Sequence, residues 1–526
     1  MHLRRLAVPL AILLLLALGL RPFLPVVELW PMAPASGPWI ERGASDRPGW
    51  SEWVFGRRHF RVGYRPLTAL SYTAGHAIGG YAAWIHRWMD LATHAAAALG
   101  VYALARVLEP KARRGRALLA MAAFLALPCS ADVAPMIERR AYSLSTALAL
   151  FGLALGCRAA RRAEGSVVLA SAPAALCTAG AFLSHEAGIL AVLVLPLLAW
   201  SSGEGRWRRA LLVSVVPLLL AAGALALRTW IVGGIGGYAD AQDERATRAG
   251  AILAASFRSF LALRRSETWL AWLTLGLAAA AIALGRRERR NGALLLVWLA
   301  ATAALFAGQG VWYDRQAYAL AAPAALAFAL TLHASSPARR LPALALAALI
   351  LSRSPVVHGL PEGRLAGWRE KQVLLEAIHG SLADVREPAT VHLVLPFTGS
   401  EGGDEGGRNK LRGRDERNEV PRRVRSGARW IETLLGDREV SVNELAYVRR
   451  ERGAGAPYPT VETTGARAAV VVPEGEAVFW HLGGSFGRRE AGASRRIPIP
   501  STRAGGGSVH VFLYGAGGGE LVTVVE

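Results

Sequence analysis

At 526 residues and 53% hydrophobic, the chain is too long and too apolar for one ordinary water-soluble domain. A formal net charge of +21 would suit a nucleic-acid binder, but most arginine clusters lie between apolar runs, where they report membrane topology, so no nucleic acid is expected as a partner. The three cysteines, Cys129, Cys157 and Cys177, lack metal-ligand spacing. The topology below puts Cys129 and Cys157 on opposite faces of the bilayer, so no structural disulfide is expected.

The first apolar run, Leu6 to Leu24, follows Arg4-Arg5 and lacks a small-x-small cleavage site before Arg21-Pro22. It reads as an uncleaved first helix. Further runs lie near 88–108, 116–129, 142–157, 166–183, 187–200, 209–228, 268–284, 291–308, 317–333 and 341–352. Residues 1–352 therefore read as an all-α polytopic membrane bundle of about eleven helices. Basic clusters occupy alternate connections: Arg4 and Arg5, Lys111 to Arg116, Arg158 to Arg162, Arg206 to Arg209, Arg286 to Arg290, and Arg339-Arg340. The positive-inside rule makes those connections and the N-terminus cytoplasmic.

The exoplasmic face then holds a long polar, aromatic-rich first loop at about 25–66, and long connections of that kind are usually functional or disordered. It also holds the Ser130 to Arg140 turn, Ser184-His185-Glu186, a loop from about Arg228 to Glu267 and the Gly308 to Tyr318 turn. In the 228–267 loop, Gly233 to Tyr238 reads as a hinge, and Ile252 to Leu263 as an amphipathic helix on the membrane surface. The hinge lacks the Gly-Lys-Ser/Thr that a phosphate-cradling loop requires.

Residues 353–526 change composition and read as a small exoplasmic C-terminal domain, α+β or mainly β. A helix is expected at 364–384 and strands at 390–395, 468–472, 477–482, 509–514 and 521–525, with a mobile Gly- and charge-rich loop from Gly399 to Arg429. Its basic residues Arg422, Arg423 and Arg425 suit a solvated surface, or anionic lipid or envelope polysaccharide.

Glu28, Asp132 and Glu186 are acidic positions near the exoplasmic boundary. Glu28 and Asp132 could serve as general base or metal ligand, or sit as solvated helix-end carboxylates. Asp90 and His94 are four apart and share a helix face inside a span, where an Asp tends to meet a partner. His185-Glu186 is not a zinc-protease start, since Ile189 stands where the second His would be. Trp312-Tyr313-Asp314-Arg315, with Tyr318 beyond, suits a sugar or phosphate headgroup, or an interfacial belt with a snorkelling Arg.

The order of these features resembles the membrane glycosyltransferases of the C-type (GT-C) fold, and more narrowly the tetratricopeptide-linked O-mannosyltransferase group and its bacterial relatives. Tyr64-Arg65-Pro66-Leu67-Thr68 followed by Asp90 and His94 is similar to that group's Tyr-Arg-Pro-Leu-Thr and Asn-x-x-x-His. Pro128 through Asp132 to Ile137 and Arg140 resembles its second exoplasmic turn. Leu183-Ser184-His185-Glu186 resembles its Leu-Ser-Lys-Glu, and Asp314-Arg315 to Tyr318 its late turn. The chain departs from the pattern in having Glu28 for an early Asp, Leu127 and Ser130 where His is usual, and Tyr142 for an acidic residue. Its tail shows no tetratricopeptide repeat.

The resemblance implies transfer of a sugar from a polyprenyl-phosphate donor to an exoplasmic acceptor, a protein or an envelope glycolipid or polysaccharide. Glu28 or Asp132 would be the catalytic base. Tyr64, Arg65, Asp90, His94, His185, Glu186, Asp314 and Arg315 would bind substrate, with Arg65 and Arg315, or a divalent metal such as Mg or Mn, stabilising the leaving phosphate. Two other readings stay open. One is an inactive relative that anchors the tail; the other is a transporter, for which a repeat between halves would be expected. The Ala-, Arg- and Gly-rich composition suggests a bacterium of high genomic G+C, hence an inner-membrane location.

Overall fold

The computed structural model describes residues 2–27, 29, 39–40, 42–46, 48–56, 64–109, 114–161, 166–202, 206–232, 258, 260–261, 289–307, 314–332, 337–360, 362–383, 385, 389–397, 440–448, 460–464, 467–472, 477–482, 485–489, 495–499, 508–515 and 518–525. They fall into two compact units, Met1–Glu28 with Arg42–Pro361, and Leu29–Glu41 with Glu362–Glu526.

The first unit is helical. Its helices are α1 (His2–Leu20), α2 (Trp50–Phe55), α3 (Pro66–Gly79), α4 (Ala83–Leu108), α5 (Arg114–Ala126), α6 (Arg140–Arg161), α7 (Val167–Ala170), α8 (Ala172–Ser184), α9 (Ile189–Ser202), α10 (Trp207–Val232), α11 (Arg289–Ala307), α12 (Tyr318–Leu332), α13 (Pro337–Leu351) and α14 (Pro355–His358). Helix covers each expected run except 268–284, which lies outside the described residues. Among the described residues, four segments are long and apolar enough to cross a membrane: Leu6–Val26, Ala83–Leu108, Ile137–Arg161 and Trp207–Val232. Shorter apolar helices at Ala172–Ser184, Glu186–Ser202 and Leu294–Phe306 accompany them. The run at 166–183 is broken at Ser171, and Pro173 sits in the first turn of α8, where its missing N–H costs nothing. The hinge at 233–238 lies outside the described residues; of 252–263, residues 258, 260 and 261 are described, with Phe260 and Leu261 buried.

Apolar side chains face outward as well as inward in this unit. Leu10, Leu13 and Leu14 of α1 and Leu211, Leu219 and Trp230 of α10 are exposed, as expected of faces solvated by lipid tails. Exposed Trp84 and Trp88 open α4 and Trp230 closes α10 at one end, while Trp200 and Trp207 flank the α9–α10 turn at the other. That pattern matches aromatic belts at two interfaces. Inside, small residues let helices approach closely: a Cβ on Gly152 of α6 would meet Thr178 Cγ2 of α8 at 2.7 Å and its backbone N at 3.1 Å.

Helix α3, which the hydrophobic pattern did not announce, begins on Pro66 and ends at Gly80, whose φ is +55°. It lies across one end of the bundle. Its Thr68 hydroxyl donates to the Ser184 carbonyl at the end of α8 (2.8 Å), and Tyr72 donates to the Ile137 carbonyl ahead of α6 (2.5 Å). From the first loop, Trp50 of α2 donates to Thr73 (2.9 Å).

Beneath α3 sits a fully buried ion pair. Arg140, at the start of α6, donates through Nε to Asp90 Oδ1 on α4 (2.5 Å), through Nη1 to the Ser71 carbonyl (3.0 Å) and through Nη2 to the His86 carbonyl (2.8 Å). Its guanidinium also stacks 4.4 Å from the Tyr72 ring centroid.

In the second unit, α15 (Glu362–Ala383) packs on a six-stranded sheet of order β6-β5-β2-β1-β8-β9. These strands are β1 (Ala389–Phe397), β2 (Val440–Val448), β5 (Ala477–Leu482), β6 (Ser485–Arg489), β8 (Ser508–Gly515) and β9 (Gly518–Val525). A separate three-stranded antiparallel sheet has the order β3-β4-β7, from β3 (Thr460–Thr464), β4 (Arg467–Val472) and β7 (Arg495–Ile499). Strand β1 pairs in parallel with both β2 and β8. That central position explains why consecutive residues Val391, His392 and Leu393 are all buried. The expected helix and strands occur here, and β2, β3, β6 and β7 add to them. The loop Gly399 to Arg429 lies outside the described residues.

Breaking one side of a buried ion pair leaves an uncompensated charge. Asp90→Leu or Arg140→Leu alone should therefore cost about 3–5 kcal/mol, and the double variant should recover most of the loss. Thermal unfolding of the four proteins in one detergent checks this; a double variant as unstable as the sum of the singles refutes it.

Candidate functional site

At the end of the bundle covered by α3, a short turn separates α8 from α9. His185 closes α8 in an extended conformation, and Glu186–Gly188 form one turn of 3-10 helix. Gly188 is required here because a Cβ would lie 2.3 Å from the Ala181 carbonyl carbon and 2.5 Å from the Phe182 amide nitrogen. The turn is thereby pressed against α8, and Glu186 is held at the bundle end.

Three elements bring cations to this turn. Arg65, just before α3, donates from Nη2 to Glu186 Oε2 (2.7 Å) and from Nε to both carboxylate oxygens (3.2 Å each). Arg228, in the last turns of α10, is buried and sets Nη1 3.0 Å from Glu186 Oε1. Arg315, in the 3-10 turn Asp314–Ala317, donates from Nε to the Tyr142 hydroxyl (3.3 Å), and the Tyr142 ring lies 4.2 Å from the His185 ring centroid. Arg65, Tyr142, His185, Glu186, Arg228 and Arg315 thus form one continuous cluster drawn from five parts of the chain. Among the described side chains, its fixed charges are three guanidiniums against one carboxylate.

Electrostatics keep those charges in place. Burial works to raise the Glu186 carboxyl, but the Arg65 guanidinium, aided by Arg228, overrides it and holds the group well below the ordinary carboxylate range. Burial first, then the Arg65 charge, lowers the His185 imidazole, which stays neutral at pH 7. Tyr64 is buried beside Arg65, and burial raises its phenol.

The other expected residues lie in separate surroundings. Asp90 belongs to the buried pair with Arg140. His94 Nδ1 shares a 2.7 Å hydrogen bond with Tyr318, and Phe23 and Phe124 pack on its ring. Asp132 ends the 3-10 turn Pro128–Asp132, which packs on the Asp314–Ala317 turn. Its carboxylate is partly exposed and 3.9 Å from Arg139, which also donates to the Asp132 carbonyl. Glu28, Trp312 and Tyr313 lie outside the described residues, and Asp314 is placed through its backbone as the first residue of its turn. Among the described residues, no three His, Cys, Asp or Glu side chains gather as metal ligands.

Sequence reading missed Arg228 and Tyr142 as members of the site. Arg228 was legible as a charge within the last turns of a long apolar helix, where an ionisable residue is a functional candidate by default. Arg87 was also passed over: it is buried in α4 and donates to the carbonyl of Val27, at the root of the first loop (3.4 Å).

No family model matches the chain, and no curated protein matches it. Among solved structures, it is similar to ArnT from Cupriavidus metallidurans bound to undecaprenyl phosphate, with 15% identity and a TM-score of 0.46 over 84% of this chain and 93% of that one. It is also similar to the oligosaccharyltransferase AglB from Archaeoglobus fulgidus in complex with an inhibitory peptide and a dolichol-phosphate, with 12% identity and a TM-score of 0.44 over 93% and 76%. For the apo form of the Archaeoglobus fulgidus oligosaccharyltransferase, identity is 12% and the TM-score 0.42, with 72% of this chain covered; the chain spans 58% of that neighbour's length.

Glu186→Gln removes the carboxylate that separates Arg65 from Arg228 and should lower stability by about 3 kcal/mol. Because the folded-state pKa is depressed, the wild-type advantage should be full above about pH 4.3, the unfolded-state value, and shrink as pH falls further. Thermal unfolding of both proteins between pH 8 and 3 checks it; an advantage already lost at pH 6 refutes it.

Proposed function

We propose that the protein is a polyprenyl-phosphate-dependent glycosyltransferase of a bacterial inner membrane, transferring a sugar to an exoplasmic acceptor. The observation that carries this reading is the convergence of Arg65, Arg228 and Arg315 on one buried turn at an end of the membrane helices. A positively charged cluster at that depth suits an anion delivered by a lipid, and guanidiniums suit phosphate oxygens. The basic clusters recur at the opposite ends of the helices, which on the positive-inside rule makes this end exoplasmic. The motif resemblance around Tyr64-Arg65, Asp132, His185-Glu186 and Asp314-Arg315 supports the same reading, with the acceptor a protein or an envelope glycan.

In this mechanism a carboxylate, Glu28 or Asp132, takes the proton of an acceptor hydroxyl, and the oxygen attacks the anomeric carbon. The bond from that carbon to the lipid phosphate oxygen breaks, and the electron pair leaves on the phosphate. Arg65, Arg228 and Arg315 then meet the growing negative charge with donors already in place, so little reorganisation is needed as the reaction proceeds. Asp132 is the candidate base whose surroundings are described. Its turn packs against the turn bearing Arg315, which puts a carboxylate and the phosphate-binding cation on adjoining segments.

Transfer of labelled sugar from a panel of polyprenyl-phosphate sugars by the full chain in lipid tests the reading. Wild type should turn over with at least one donor. Glu28→Gln or Asp132→Asn should abolish turnover with donor binding kept, and Arg228→Gln should slow it about 100-fold. A wild-type protein that neither turns over nor retains polyprenyl phosphate is instead a membrane anchor for its C-terminal unit.

A further inference from the structure

The cluster contains one ring whose hydrogen position is fixed by its neighbours. His185 Nδ1 accepts the backbone N–H of Ala187 at 3.1 Å, so the imidazole hydrogen resides on Nε2. His185 is 2% exposed, and among the described residues Nε2 has no hydrogen-bond partner. Glu186 does not supply one. Both its oxygens are engaged by Arg65, Arg228 stands on Oε1, and its approach to His185 is to Nδ1 at 3.6 Å, beyond hydrogen-bond distance. The Tyr142 ring at 4.2 Å fixes the plane of the imidazole.

A second buried donor in the same cluster, Arg228 Nε, likewise lacks a partner. The unmatched polar atoms of these side chains are therefore donors, and no acceptor among them is left over. Buried donors without partners are costly and rare in folded proteins, so the arrangement suits a ligand that accepts hydrogen bonds without donating any. A phosphate oxygen has that character, whereas a sugar hydroxyl or a peptide amide brings a hydrogen that would need an acceptor.

We propose that His185 is a hydrogen-bond donor to the phosphate of the lipid substrate, its Nε2–H aimed by the Ala187 amide on Nδ1 and by the Tyr142 ring. This rests on the transferase reading and adds to it a specific ligand for a side chain that carries no charge of its own. The role differs from that of the arginines. Arg65, Arg228 and Arg315 bring charge as well as donors, while His185 supplies an uncharged, directed contact that depends on which ring nitrogen bears the hydrogen.

The two amide side chains separate this role from a structural one, because an Asn amide overlays Nδ1 and a Gln amide overlays Nε2. The experiment measures binding of farnesyl phosphate to the full-length protein in phosphatidylcholine nanodiscs, with farnesol and inorganic phosphate as controls for chain and headgroup. Wild type should bind farnesyl phosphate saturably, should not bind farnesol, and should bind inorganic phosphate far more weakly. His185→Gln, which keeps a donor at the Nε2 position, should bind within about threefold of wild type. His185→Asn, which can keep the Ala187 contact, should lose about tenfold or more at unchanged melting temperature. An Asn variant as tight as wild type, or a Gln variant as weak as the Asn variant, overturns the assignment and leaves the transferase reading standing. Absence of saturable binding by wild type overturns both.

Discussion

A carboxylate and a guanidinium almost wholly withdrawn from solvent, Asp90 and Arg140, tie together α3, α4 and α6, and the first and last of these help to position the site. Two ions placed inside a membrane bundle are tolerable when each meets the other and the remaining donors find carbonyls, and Arg140 does so through Ser71 and His86. The consequence is positional. Arg140 fixes the start of α6, and Tyr142 follows two residues later. The same guanidinium holds the body of α3, whose N-terminal neighbour is Arg65. Two members of the arginine cluster, Tyr142 and Arg65, thus take their places from this pair.

The cluster itself is a balance of like charges around one carboxylate. Three guanidiniums in a confined space repel one another, and Glu186 offsets that repulsion while dividing Arg65 from Arg228. An arrangement with more positive than negative charge is stable as a fold and still favourable toward an anion. The aromatic–imidazole contact of Tyr142 and His185 extends the same logic by linking Arg315 to the turn without adding charge. A fully neutralised cluster would attract no anion, and one without Glu186 would leave the partly exposed Arg65 and the buried Arg228 facing each other.

Much of the architecture was legible in the sequence because membrane helices obey a coarse rule. Long apolar runs satisfy their backbone internally, so the helices follow from residues such as Leu10 and Leu219 with no knowledge of packing. The tail was legible where β-branched runs such as Ala468 to Val472 stood out. Strand β2, with Asn443 and Glu444 in its middle, carries no such pattern and is a strand because β1 pairs with it in parallel. Helix α3 was also hidden, since its mixed face of Thr68, Tyr72 and Gly75 answers to the ends of α4, α6 and α8 rather than to lipid or water.

By itself, the sequence determined the membrane class, the helical first unit, the β-rich second unit and the Arg65, Glu186 and Arg315 stretches as places to look. Only the tertiary structure decided that Glu186 pairs with Arg65 and Arg228 while Asp90 serves Arg140. The physical reason is that hydropathy and charge sorting act along the chain, within one span or one connection. Ion pairs in a low-dielectric interior instead depend on which helix ends meet, and Arg65 and Glu186 are 121 residues apart.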